Sequence, residues 1–135
     1  MIHTVLLSMF LLQSLNEQRF CADAARQYVR EEYPPNTTDI ILSNYTTHYN
    51  TRLNRCLAKI EVLVPASDGD KKLTLKEITI TDVLKRMLYA NYLYFLQQKR
   101  VSACRYYDVN KLDWIQCGPI PPEEFRKRIT PLMVD

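Results

Sequence analysis

The first long pattern in the chain is helical. Residues 16–33 place small and apolar side chains on one face, while the charged residues lie mostly elsewhere. Asn16 is a suitable N-cap, and the prolines at positions 34 and 35 end the helix. The apolar face consists of Cys21, Ala24, Ala25, Tyr28 and Val29. We therefore expect a helix that packs its small residues closely against a sheet.

After the prolines the pattern changes to alternation of apolar and polar side chains, which predicts strands. The alternation is clearest over residues 56–64, where every second residue is apolar and shares one face. We expect a turn at Asn50-Thr51 and a loop over residues 66–70, where small and polar residues cluster. The predicted strands are residues 40–49, 52–64, 73–80, 101–109 and 114–117. The first two should form an antiparallel hairpin.

Two segments remain after these strands. Residues 83–98 fit either a helix or a buried strand that follows a turn near Lys85 and Arg86, because short apolar stretches satisfy both periods. Pro122 introduces a closing helix over residues 123–132. The predicted fold is therefore α+β, with an N-terminal helix, an antiparallel sheet of about five strands, a C-terminal helix and two disulfides.

Residues 5–15 form an apolar run whose length of about eleven residues is typical of a signal peptide and too short to span a bilayer. No Lys or Arg precedes the run, and Ser14 is the best small residue for a cleavage site. The alternative is a buried N-terminal helix. We expect residues 1–15 to be signal-peptide-like and residues 16–135 to be one exported domain, periplasmic or secreted, with no stable membrane span in the mature form.

The four cysteines form an even set at positions 21, 56, 104 and 117. Their wide spacing contains no C-x-x-C pair, so it fits neither a structural zinc site nor a thioredoxin-like motif. We expect two disulfides, formed in an oxidising compartment. Of the three possible connectivities we prefer Cys104–Cys117, which would clip a hairpin, and by elimination Cys21–Cys56.

Charge and composition narrow the classes of function. The chain has 18 basic and 15 acidic residues, a balance that predicts a mixed solvated surface and no nucleic-acid partner. Two glycines cannot supply a glycine-rich phosphate loop. The Asp68-Gly69-Asp70 segment lacks the later ligands of a calcium loop. We expect no cofactor and no metal.

His48 is the single histidine outside the leader-like segment and the one candidate general base near neutral pH. It lies between Thr47 and Tyr49 in a predicted strand, with no acidic neighbour in the sequence to orient it. A structural or surface role is the preferred interpretation. Paired cysteines leave no thiolate nucleophile, so we assign no catalytic residue.

The tyrosines are expected to serve mainly the sheet and the core. Tyr92, Tyr94, Tyr106 and Tyr107 are the ones to examine for base stacking or protein binding. If one face of the sheet exposes several together, that face should be a protein-binding site, because aromatic residues carry much of the energy of protein interfaces.

Residues 48–56 read HYNTRLNRC and carry an H-Y-N-x-x-L-N-x-C motif. This hairpin resembles a segment of small exported bacterial proteins of uncharacterised activity. Their other features are matched by a C-A-x-x-A helix at Cys21, a Thr81-Asp82-Val83 segment, the cysteines of residues 104–117, and a Glu124-Phe125 helix that runs to Met133. The resemblance covers most of residues 17–133 and implies export and disulfides without supplying an activity. It departs over residues 83–98, which are more apolar here. Our candidate binding residues are His48, Tyr49, Asn50 and Asn54.

Three functions follow, in order of preference. The first is an exported non-enzymatic module that binds another envelope or secreted protein, as an inhibitor or immunity protein does. The second is a small-ligand carrier with an apolar cavity, and the third is a hydrolase that uses His48. The sequence leaves open the oligomeric state and whether the sequons at Asn36 and Asn44 are glycosylated.

Overall fold

This computed structural model describes residues 2–36 and 39–134, with side chains from residue 14 onward. Six antiparallel strands lie between two helices in the chain and pair in sequential order. Thr37 and Thr38 of the first sequon lie outside the described residues. The elements are α1 (Ile2–Glu32), β1 (Ile41–Asn50), β2 (Arg55–Asp68), β3 (Lys71–Asp82), β4 (Met87–Phe95), β5 (Arg100–Asp108), β6 (Asp113–Gln116), α2 (Pro122–Ile129) and a 3-10 helix (Thr130–Leu132). The α+β prediction is confirmed, with six strands in place of about five.

The helix α1 is longer than its amphipathic pattern suggests. It is continuous from Ile2, so Asn16 lies inside the helix and is not its N-cap. No proline or glycine interrupts the chain before Pro34, and leucine favours helix, so nothing stops the helix at residue 16. The helix ends at Glu32, just before the two prolines, as predicted. The signal-peptide interpretation of residues 1–15 stays a prediction.

The ambiguous segment contains a turn at residues 83–86 followed by the strand β4, so the strand interpretation is correct. Hydrogen bonds to β3 on one side and to β5 on the other place β4 inside the sheet. An interior strand has neighbours on both edges and can carry apolar residues on both faces. That position explains the dense apolar pattern that periodicity could not interpret.

Two predicted strand ends are wrong. The strand β2 begins at Arg55 and not at residue 52, because residues 51–54 form the turn after β1. Residues 66–68 were expected in a loop but pair with β3, which confines the turn to residues 69–70. Gly69 adopts a φ of 60°, a conformation that glycine accepts without steric cost.

The helices cover opposite faces of the sheet, because alternate residues of a strand point to opposite sides. Helix α1 lies over β1 and β2, and α2 lies over β4 and β5. The core under α1 contains Cys21, Ala25, Val29, Cys56, Ala58, Ile60, Val62 and Val83. The core under α2 contains Leu57, Ile78, Ile80, Ala90, Tyr92, Cys104, Val109, Phe125, Ile129 and Leu132. The alternation predicted for residues 56–64 is therefore confirmed.

Both predicted disulfides are present. Cys21–Cys56 joins α1 to the start of β2, and Cys104–Cys117 joins β5 to the residue that follows β6. The first bridge fixes a helix on the sheet, and the second holds the short last strand. Neither leaves a free thiol.

Candidate functional site

An open pocket lies where the β1–β2 and β3–β4 turns meet the side of α1. Its volume of about 660 Å³ falls within the range of small-molecule sites. We call it the hairpin pocket. It is lined by Asn16, Glu17 and Phe20 of α1, by Tyr49, Asn54, Arg55 and Cys56 of the first hairpin, and by Asp82, Leu84 and Lys85 of the second. Phe20 and Leu84 are 59% and 55% exposed, so two large apolar side chains stand open to solvent beside charged ones.

Gln18 sets the position of α1 beside this pocket. Its side-chain amide donates to the carbonyl of Tyr49 at 3.1 Å, and its Oε1 accepts from the N–H of Tyr49 at 2.9 Å. The amide thus satisfies both backbone groups of Tyr49, which point outward from the edge strand β1 and have no partner strand there. Together with the Cys21–Cys56 bridge, this pair of bonds brings Glu17 and Phe20 to the mouth of the pocket.

Asp82 organises the opposite wall. It is 1% exposed, and its Oδ1 accepts hydrogen bonds from the backbone N–H groups of Leu84 and Lys85 at 2.9 and 3.0 Å. This capping fixes the turn that presents both side chains to the pocket. The Nε of Arg55 lies 3.4 Å from Oδ2, which accepts no hydrogen bond from the described residues. Arg55 is therefore oriented by a buried carboxylate.

The structure separates the four candidate binding residues. Tyr49 and Asn54 both line the hairpin pocket, where the Tyr49 hydroxyl donates to Asn54 Oδ1. His48 is paired with a residue of the α2 core, on the other face of β1, so it does not share their site. Asn50 is completely buried, and its amide donates to the carbonyl of Leu132 at 3.0 Å. Asn50 therefore ties the C-terminal segment to the first hairpin.

A second surface lies over β5 and β6, where Arg105, Tyr107 and Trp114 alternate with the residues that face α2. Tyr89 and Tyr107 are half-buried and also pack against the core under α2 at this end of the sheet. The rings of Tyr89 and Tyr107 meet edge to face with centroids 5.7 Å apart, and those of Tyr107 and Trp114 meet likewise at 6.0 Å. The guanidinium of Arg105 lies 4.3 Å from the centre of the Trp114 ring. We call this row the aromatic face. Arg105 forms no salt bridge within the part of the chain that the structure describes.

The four tyrosines selected from the sequence do not form one surface. Only Tyr107 lies on the aromatic face. Tyr92 is fully buried, stacks on Phe125 at 4.6 Å and donates its hydroxyl to the carbonyl of Ile120 at 2.7 Å. Burial is the main cause that raises the pKa of Tyr92 to about 12. Sequence reasoning missed Tyr89, because a bulge between β3 and β4 shifts the register beside it.

Within residues 2–36 and 39–134, no three His, Cys, Asp or Glu side chains are grouped so that they could hold a metal ion. Nor does a described helix carry an apolar stretch long enough to cross a membrane. Comparisons with models of known protein families, with curated proteins and with solved structures find no match. Fold and site define a disulfide-linked α+β domain with an open pocket and an aromatic sheet face.

Proposed function

We propose that this chain is an exported, non-enzymatic module that acts by binding another protein in the periplasm or outside the cell, as an inhibitor or immunity protein does. The observation that carries the proposal is the aromatic face formed by Tyr89, Tyr107, Trp114 and Arg105. The two disulfides support export, because such bonds persist in oxidising compartments.

The composition of the aromatic face matches that of energetic centres in protein interfaces. Tyrosine, tryptophan and arginine are the residues most enriched at such centres. Trp114 is 37% exposed, so a partner could still remove a large aromatic area from water. The edge-to-face contacts of Tyr107 with both Tyr89 and Trp114 already restrict the rings. Docking would therefore cost little further side-chain entropy.

The charge on this face specifies one property of the partner. Arg105 is exposed, and its guanidinium stacks on Trp114 without a described carboxylate beside it. A planar guanidinium binds a carboxylate through two parallel hydrogen bonds. We therefore expect the partner to present an acidic side chain next to an apolar surface that covers the tryptophan.

Site-specific photo-crosslinking tests the proposal. A benzoylphenylalanine at Gln116, which pairs with Arg105 across the β5–β6 ladder, places the reactive group on the aromatic face. The matched control is the same group at the exposed Lys127 of α2, on the other side of the sheet. With the envelope and secreted fractions of the source cells, we expect one discrete adduct from position 116 and none from position 127. The adduct should disappear in the R105E and W114A variants.

The captured protein is then purified and its affinity is measured directly. Trp114 is the single tryptophan, so docking over it should shift its emission to shorter wavelength. We expect W114A to weaken binding at least about tenfold and K127Q to leave it unchanged. The proposal would be overturned by equal adducts from positions 116 and 127 or by no adduct at all. It would also be overturned if W114A and R105E, shown to be folded by circular dichroism, bind the partner with unchanged affinity.

A further inference from the structure

We infer that the hairpin pocket is a separate ligand site for a small organic acid, in which an anionic group is joined to an apolar body. The inference goes beyond protein docking, because the pocket and the aromatic face share no residue. A pocket of about 660 Å³ is large enough for such a molecule and too open to be a packing defect of the core.

The charges that a ligand can reach favour an anion. The carboxylate oxygens of Asp82 are enclosed by the protein, since two backbone N–H groups bind its Oδ1 and Arg55 faces its Oδ2. With its side chain inaccessible to solvent, Asp82 offers a ligand no free carboxylate. The four ionisable side chains of the lining balance in charge, Arg55 and Lys85 against Glu17 and Asp82, but the groups that a ligand can contact are the two cations and the one carboxylate of Glu17.

The side chain of Arg55 is held in an orientation suited to binding an anionic group. Its Nη1 donates to the carbonyl of Asn54 at 3.2 Å, and its Nε faces the buried carboxylate of Asp82 at 3.4 Å. These contacts leave Nη2 without a described hydrogen bond, and about a third of the side chain is exposed, at 31%. An arginine positioned by a buried acid needs little reorganisation to bind a second carboxylate.

The apolar walls of the pocket provide the surface that the apolar body of the ligand would contact. Phe20 from α1 and Leu84 from the β3–β4 turn both line the pocket while more than half of each side chain remains exposed. An apolar chain or ring placed between them would remove area from water on both sides, which supplies most of the affinity of small ligands. Tyr49 and Asn54 add polar groups that can orient the ligand.

A competition assay with charge-matched probes tests the inference. Binding of 1-anilinonaphthalene-8-sulfonate, a fluorescent anion with an aromatic body, is first titrated to saturation at pH 7. Decanoate, decylamine and decanol are then added below their aggregation concentrations. We expect one saturable site, displacement by decanoate, and at least about tenfold weaker displacement by decylamine, since reversing the charge replaces attraction with repulsion.

Variants locate the binding in the pocket. We expect K85Q to weaken decanoate binding about fivefold, the upper range for an exposed charge pair, and F20A about tenfold. R55Q should abolish it, provided that circular dichroism shows this variant folded; if it is not, the two exposed variants decide. W114A and K127Q should bind as the parent does. The inference would be overturned by the absence of saturable binding, by equal competition from decylamine, or by unchanged affinity in K85Q and F20A. None of these results would contradict the proposed protein docking.

Discussion

A buried ion pair between Glu61 and Arg126 holds α2 on the sheet. Removing one partner should lower the free energy of unfolding by a different amount from removing the other. Glu61 of β2 is 7% exposed. Arg126 of α2 donates to both of its oxygens, from Nη2 at 2.7 Å and from Nε at 3.2 Å. Lys76 of β3 stands further off, with its Nζ 3.8 Å from the carboxylate. The arginine is thus the main partner of a carboxylate that has almost no access to water.

The two single substitutions leave different groups behind. R126Q leaves the buried carboxylate of Glu61 with Lys76 alone, and breaking a buried pair in this way should lower the free energy of unfolding by about 3 kcal/mol. E61Q leaves Arg126, whose side chain is 29% exposed and can be solvated, and keeps an amide oxygen as acceptor. We expect E61Q to cost about 1 kcal/mol. The exposed K127Q should cost less than about 0.5 kcal/mol.

The pH dependence of the stability that Glu61 contributes provides a second check on this ion pair. Burial raises the pKa of Glu61, but hydrogen bonds and charge from Arg126, with the charges of Lys76 and Lys59, bring it below its ordinary value. A depressed pKa in the folded state means that the stabilisation is complete above the ordinary glutamate pKa of about 4.3 and is lost as the pH falls through the folded-state value.

Urea denaturation of the parent, R126Q, E61Q and K127Q at pH 7 and at lower pH measures these effects. The difference in free energy of unfolding between the parent and E61Q should be largest at neutral pH and shrink toward zero once the pH falls below about 4. The assignment of Glu61 as a buried, ionised partner would be refuted if R126Q and E61Q lose equal free energies of unfolding at pH 7. It would also be refuted if the loss for E61Q does not change with pH.

Three further variants, one of them a double substitution, test the core. Replacing Cys21 and Cys56 together by alanine should lower the free energy of unfolding in urea by about 4 kcal/mol, because the bridge closes a loop with a sequence separation of 35; an unchanged transition would contradict this. N50A should cost about 2 to 3 kcal/mol in thermal unfolding, since it leaves a buried carbonyl and a backbone N–H without partners, and a loss below about 0.5 kcal/mol would count against that role. Y92F should cost about 1 kcal/mol. It should also remove one of the two tyrosines, Tyr33 and Tyr92, whose pKa burial raises to about 12, so the last part of a spectrophotometric titration should lose amplitude; an unaltered titration would exclude the assignment.

The parts of the fold that follow from local pattern were predictable. The alternation over residues 56–64 identified the face that α1 covers, and the small residues of α1 identified the face that meets it. The Cys104–Cys117 bridge followed from the hairpin it closes, and that left one pairing for the other two cysteines. Apart from the Cys21–Cys56 pairing, which followed by elimination, these inferences depend on residues close together in sequence, where geometry is set by the period of the element.

The candidate site could be predicted only in part. Tyr49 and Asn54 belong to one hairpin, so the motif of residues 48–56 included both. Phe20 and Leu84 come from distant elements, and they line one pocket because Gln18 and the first disulfide fix the position of α1 across the edge strand. No property of residues 16–20 alone specifies that position.

The cysteines remain the most informative residues of the chain, although they carry no chemistry of their own. Cys21–Cys56 lies against the hairpin pocket and fixes the helix that forms one of its walls. Cys104–Cys117 secures the end of the four-residue strand β6, which carries Trp114 and has a neighbour on one edge only. So short an edge strand would fray without a covalent link, and its tryptophan would lose the ring contacts with Tyr107. Each disulfide thus holds in place one of the two surfaces to which we assign binding, which is a reason for a small domain to keep both.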